Sequence, residues 1–158
     1  MNPRFLVDGM HGYVARWLRI MGYDAVYLSR VENGDIVQLA SGGRILVTSD
    51  VELAKKAEKN GVQVVLTRGL NEEEALRLLV ARFKLFFREA SLRCTVCNGE
   101  LEPIDLEEAE RTLGRSLKNV ETFWRCKECG KLYWRGSHWK NISRQILKLT
   151  GAEPWKNH

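Results

Sequence analysis

Four cysteines occur in this chain, as Cys94-x2-Cys97 and Cys126-x2-Cys129, with twenty-eight residues between the pairs. Nothing else in the sequence restricts the fold as tightly. Each pair sets two thiolates on one tight turn, and two such turns supply the four soft ligands of a tetrahedral zinc ion. Disulfides of a secreted chain are the competing use of four cysteines, while a redox dithiol needs only one such pair. Gly99 and Gly130 follow the two pairs, where the backbone turns away from the metal. The reading is a structural zinc ribbon, because four thiolates leave no open position for a catalytic water. The gap between the pairs is long for a ribbon, and the insert DLEEAERTL, with Asp105 as cap and Glu108 three residues on, absorbs the excess as a helix. His138 could replace a ligand, bind a second metal or simply hydrogen-bond at the surface. Thiols held by metal place the chain in a reducing, cytoplasmic compartment.

Composition sets the frame around this module. The 158 residues are 44% hydrophobic and 28% charged, which fits one ordinary domain or two small ones. The net charge of +5 favours an anionic partner. It is unevenly spread: from Arg111 onward eleven Lys or Arg face Glu121, Glu128 and Glu153, a local balance of +8. Charges at Arg4, Asp8, Arg16 and Arg19 interrupt the first residues, and no apolar run approaches the roughly 20 residues of a membrane span, so no leader and no membrane partner are expected.

Before the cysteines, short apolar runs alternate with helical patterns. FLV (5–7), AVYL (25–28), ILVT (45–48) and VQVVLT (62–67) are bounded by Gly, Asp or Ser, as strands buried on both faces of a parallel sheet are. Val14, Trp17, Leu18 and Met21 recur at helical spacing before Gly22. Further helices are expected over 35–40, 51–60 and 71–89, the last opened by an Asn71 and Glu74 capping box. The chain therefore divides into an α/β domain over 1–90 and a zinc-ribbon module with a basic C-terminal segment over 91–158.

Asp8 follows the first strand directly, Asp50 follows the third after Ser49, and Asp35 opens the helix after the second. In a parallel α/β sheet the strand carboxyl ends share one edge, where ligands bind. Three carboxylates meeting there, without histidine or thiol, make a hard oxygen site for Mg²⁺ or Mn²⁺. Such an ion suits phosphodiester hydrolysis by an activated water. Asp35 and Asp50 also precede helices and serve equally well as N-caps. Glu32 and Glu52 are possible additional ligands, and Asp24, at the start of the second strand, belongs to the opposite edge. Arg16 and Arg19 are expected to face one phosphate strand from the first helix.

Around the second cysteine pair the chain reads FWRCKECGKLYWRGSHWK. Trp124, Tyr133, Trp134 and Trp139 beside Arg125, Lys131, Arg135 and Lys140, with His138 among them, combine stacking faces and cations as single-stranded RNA binding requires. The same aromatics could instead fill the poor core of a small metal module.

FLVDGMHGYVARWLRIMGYDA, GDIVQLA, RILVTSDVEL, RCTVCNGEL and RCKECGKLYWRGSHW together resemble the Mut-seven C-terminal ribonuclease domain family, a PIN-like parallel sheet followed by a zinc ribbon. The resemblance runs from Arg4 to about Trp139 and implies a metal-dependent ribonuclease. It maps Asp8 and Asp50 to metal-binding acids and Asp35 to the acid opening the second helix, and it carries the four cysteines over as zinc ligands. The chain departs from the family at His11, where Leu is frequent, and at Ser49, where Arg is. It also lacks an acid after the fourth strand, where Thr67, Arg68 and Gly69 stand. The expectation is an Mg²⁺- or Mn²⁺-dependent ribonuclease whose ribbon grips RNA. The alternative is a non-catalytic RNA- or ribosome-binding protein with a vestigial acidic site.

Overall fold

Strands form where the β-branched runs allow burial on both faces. The computed structural model describes residues 2–120 and 122–154. Within it β1 (Phe5–Asp8), β2 (Ala25–Leu28), β3 (Ile45–Thr48) and β4 (Val64–Leu66) pair in parallel, in the order β2-β1-β3-β4. Phe5 lies opposite both Ala25 and Ile45, and Leu46 opposite Val64. The expected parallel sheet flanked by helices is present. Alternate residues of each strand feed two cores, as a period of two requires. Phe5, Val7, Ile45, Val47 and Val65 join α1 (Gly12–Ile20) and α4 (Glu72–Phe83) on one face. Leu6 and Leu46 join α2 (Asn33–Gly42) and α3 (Val51–Lys59) on the other. Because β1 connects outward to β2 while β3 and β4 lie on its other side, the order reverses between β1 and β3. Their carboxyl ends form the crevice where such sheets hold ligands.

The helix expected over 71–89 stops earlier. Its Asn71 and Glu74 capping box forms, but Lys84 takes a left-handed conformation with its N–H on the Val80 carbonyl. Leu85 then turns into the core, and the Phe86 N–H donates to the Tyr23 hydroxyl. Tertiary anchoring, absent from helical periodicity, ends the helix.

The second module is a three-stranded antiparallel sheet, β5 (Leu101–Ile104), β6 (Phe123–Cys126) and β7 (Leu132–Trp134), ordered β5-β6-β7. Between β5 and β6 the insert forms α5 (Leu106–Leu113), capped by Asp105 as its sequence announces. Two elements were not anticipated: β5, and α6 (Trp139–Thr150). Trp139, Ile142, Ile146 and Leu149 recur at helical spacing in the basic segment, a signal that its charge masks. Ile146 and Leu149 are buried in the same core as Phe5 and Leu79, so the last helix packs with the first module.

A polar seam joins the modules and corrects the role expected of Arg19. Rather than facing solvent, Arg19 is 8% exposed; its Nε donates to the Ala25 carbonyl at 2.9 Å and its terminal nitrogen to the Thr95 carbonyl at 2.9 Å. Ala25 also donates its N–H to the Asn98 side chain at 3.0 Å. Asp24 accepts from Arg44 at 2.8 and 3.0 Å and from Asn98 at 2.7 Å. Burial alone would raise the Asp24 carboxyl, and these bonds outweigh it and hold it below its ordinary value. The first cysteine turn is thereby clamped to the start of β2, on the edge opposite Asp8.

Candidate functional site

At the carboxyl edge one hydroxyl organises two acids. Thr48, fully buried at the end of β3, donates to Asp8 Oδ2 at 2.7 Å and accepts the Asp50 N–H at 3.0 Å. Asp50 caps α3, its Oδ1 accepting the N–H groups of Glu52 and Leu53 at 3.0 and 3.1 Å. Asp50 Oδ2 and Asp8 Oδ1 have no hydrogen-bond partner among the described residues. Both acids line an open cleft of about 430 Å³ at the β1/β3 switch, together with Asn33, Glu52 and Lys56. Lys56 forms no ion pair with any described acid. Thr48 and Lys56 escaped the sequence reading; the available signals were a threonine just before the acid-bearing turn and a lysine one helical turn after Glu52.

Asp35 does not join them. It occupies the third position of α2, where its Oδ2 accepts the Glu32 N–H at 2.8 Å in a capping box, and it lines a different cleft with Arg4 and Arg44. Among the described residues, only the four cysteines form a group of three or more potential ligands whose atoms lie within 4.8 Å of one another. The acidic edge is thus an open two-carboxylate arrangement. That donor set suits a hard ion that keeps several waters and completes its shell with substrate phosphate. Two of the three departures noted in the sequence meet in space: buried His11 places Nε2 2.7 Å from the Thr67 hydroxyl.

The cysteines present the opposite arrangement. Cys94 and Cys129 sulfurs stand 3.7 Å apart, and Cys97 and Cys126 3.5 Å. Zinc–sulfur bonds of about 2.3 Å in a tetrahedron require sulfurs about 3.8 Å apart, so the donors fit zinc. Burial pushes the Cys94 thiol up, yet hydrogen bonding from the Tyr133 hydroxyl and from the N–H groups of Cys97 and Val96 lowers it to about 7. Burial and the neighbouring sulfurs push Cys97 up to about 12. Crowded thiols of this kind lose their protons together only when a cation replaces them. Gly130 has the left-handed conformation expected of it, whereas at the first turn Asn98 takes that role. Gly99 is needed for a different reason: a Cβ there would lie 2.7 Å from the Cys126 sulfur.

Between α1, the ribbon and α6 lies a second cleft, of about 270 Å³. It gathers Arg16, Lys131, Trp134, His138 and Trp139, five of the residues proposed from sequence to meet RNA. Trp124 is 4% exposed and forms its floor, so for this residue the packing role holds. Trp139 is braced by its indole N–H on the Trp134 carbonyl at 2.8 Å and by an edge contact with Phe87. Two cations differ from expectation. Arg19 is used internally, and Arg125 is held by Glu102 at 3.1 Å and by Glu108 within α5, which raises its pKa and neutralises its charge locally. Arg135 lies outside the cleft, on a surface with Lys140 and Arg144.

A four-stranded parallel sheet with carboxylates at its switch point, followed by a four-cysteine ribbon, defines an α/β domain joined to a metal-binding module. The family model of the Mut7-C RNAse domain matches residues 3–146, nearly the whole chain, and the chain belongs to that family. No curated protein and no solved structure shows a significant match to it. No helix of the described residues is long and apolar enough to cross a membrane.

Proposed function

We propose that this chain is a metal-dependent ribonuclease that hydrolyses RNA phosphodiesters at the Asp8 and Asp50 edge, while the zinc ribbon holds the RNA. The observation that carries this reading is the Thr48 clamp, which ties the Asp8 carboxylate and the Asp50 backbone to one buried hydroxyl above an open cleft. Asp8 and Asp50 would hold Mg²⁺ or Mn²⁺, with Glu52 within the same cleft. When bound, such an ion activates water and stabilises charge on the attacked phosphate. Lys56 supplies a cation to the phosphate backbone, and its position on α3 keeps it beside the acids. Thr48, excluded from solvent, keeps the Asp8 carboxylate and the Asp50 backbone in register. The membership in an RNase domain family supports RNA as the substrate, and structured RNA or the ribosome is the form the basic segment would meet. Zinc-loaded thiolates fit a reducing, cytoplasmic setting.

A second reading is favoured by Asp35, whose engagement in a helix cap leaves two of the three expected acids at the edge. It makes the protein a non-catalytic RNA- or ribosome-binding module. Incubation of zinc-loaded protein with labelled structured and unstructured RNAs, with and without Mn²⁺, separates the two. Metal-stimulated cleavage that Asp8→Asn reduces at least about 100-fold, with zinc content unchanged, is expected for the ribonuclease. Binding without cleavage under any divalent ion would establish the second reading.

A further inference from the structure

We infer that the cleft between α1, the ribbon and α6 is a nucleobase subsite that takes one unpaired base of a single-stranded RNA, with Trp134 as its stacking face and Arg16 on the adjoining phosphate. This deepens the ribonuclease reading and rests on RNA being the substrate.

The walls are chosen for a flat apolar body with an anionic tail. Ile20, Leu101, Trp124 and Leu132 supply apolar lining, and among the described residues no Asp or Glu lines the cleft. Its volume of about 270 Å³ falls below the roughly 300–1,000 Å³ typical of pockets for drug-sized ligands, leaving room for one ring system rather than a stacked run. The cations at its rim differ in availability. Arg93 is committed to the Asn98 carbonyl and lies 3.8 Å from Asp24, but Arg16 is exposed and makes no hydrogen bond or ion pair with a described residue. Lys131 stands over the Tyr133 ring at 5.3 Å, without an acid. Arg16 therefore faces the cleft as an uncompensated charge.

Trp134 is placed for stacking and not for packing. It is half-buried, and its indole N–H has no partner among the described residues, in contrast to that of Trp139. Gly136 makes room for it: a Cβ there would sit 3.2 Å from both Cδ1 and Nε1 of Trp134 and 3.6 Å from His138 Nδ1. That free N–H, with exposed His138 beside it, offers hydrogen bonding to the edge of a base whose face rests on the indole. A base paired in a duplex presents neither its face nor that edge. Position adds a further argument. Arg16 and Ile20 are successive turns of α1, and the loop that opens α1 follows Asp8 directly. A strand anchored in the cleft is led along one short helix toward the acidic edge.

The test measures binding of a short labelled single-stranded RNA and of a blunt duplex of the same sequence to the zinc-loaded full chain, without added Mg²⁺ or Mn²⁺. The wild-type protein is expected to prefer the single strand. Trp134→Ala should weaken single-strand binding about ten-fold or more while leaving duplex binding unchanged, and Trp134→Phe should restore most of it, since stacking survives. Arg16→Ala should lower the salt dependence of binding by about one phosphate contact. Zinc content and the circular dichroism of each variant establish folding. Equal affinity for single strand and duplex, or wild-type single-strand binding by both Trp134→Ala and Arg16→Ala, would overturn the inference. The ribonuclease reading is scored separately, by Mn²⁺-dependent cleavage and its loss in Asp8→Asn: the subsite can stand while cleavage fails, and the reverse.

Discussion

The acidic edge, proposed above to hold a hard cation, and the cysteine cluster, whose sulfurs fit zinc, are built on opposite principles. The cysteines come from two local turns, and their four sulfurs lie within 4.8 Å of one another. The acids come from strands whose ends meet only because the sheet order reverses between β1 and β3, and they remain open to a cleft. A closed soft site stabilises a module too small to hold a sufficient core; an open hard site leaves positions for water and substrate. Closure belongs to structure and openness to chemistry.

The largest effect expected from breaking this contrast is loss of zinc. Cys126→Ser or chelation should unfold the β5-β6-β7 sheet, because binding free energy at structural zinc sites is folding free energy. Hydrogen exchange should show protection lost around β6 and retained in β1 and β3; retained protection in β6 would show that the ribbon folds without metal. At the open site, Thr48→Val should reduce Mn²⁺-dependent cleavage severely and destabilise the fold by about 1–3 kcal/mol, since Asp8 and the Asp50 N–H both lose a partner. A thermal melt should register about 2–4 °C per kcal/mol. An unchanged melting temperature would mean that the hydroxyl is dispensable to packing.

The two sites should also separate by pH. Protons compete with zinc for the Cys94 thiolate as pH falls through its lowered value of about 7. Cys97, pushed up to about 12, must release its proton on metal binding. Zinc titrations should therefore release protons, and apparent zinc affinity should fall as pH drops from about 8 to 6. A flat affinity over that interval would contradict the thiol assignments. The smallest effect belongs to neither site: Asp105→Ala removes the cap of α5 and should cost about 1 kcal/mol without altering zinc content or cleavage. Any change in cleavage would tie the insert to the RNA path.

Legibility followed the distance over which each feature is encoded. The four strands, the Asn71 and Glu74 cap and the Asp105 cap were readable because strand burial and capping act over a few residues. The end of α4 at Phe83 was not, since it depends on Leu85 finding the core and on the Tyr23 hydroxyl waiting for the Phe86 N–H. Arg19 shows the same limit. Its place on α1 looked polar, yet the carbonyls that draw it inward belong to Ala25 and to the distant cysteine turn at Thr95. Asp35 had the right neighbours in sequence, and a local cap won its side chain.

By itself the sequence determined the α/β alternation, the zinc-fitting cysteine turns and the family, because each rests on short-range spacing that any fold must respect. Only the tertiary structure decided which acids share a cleft, which arginines remain free and that α6 returns to the first core. Those outcomes depend on which distant groups satisfy a buried charge or cover an apolar face, and on how the sheet order brings β1 beside β3.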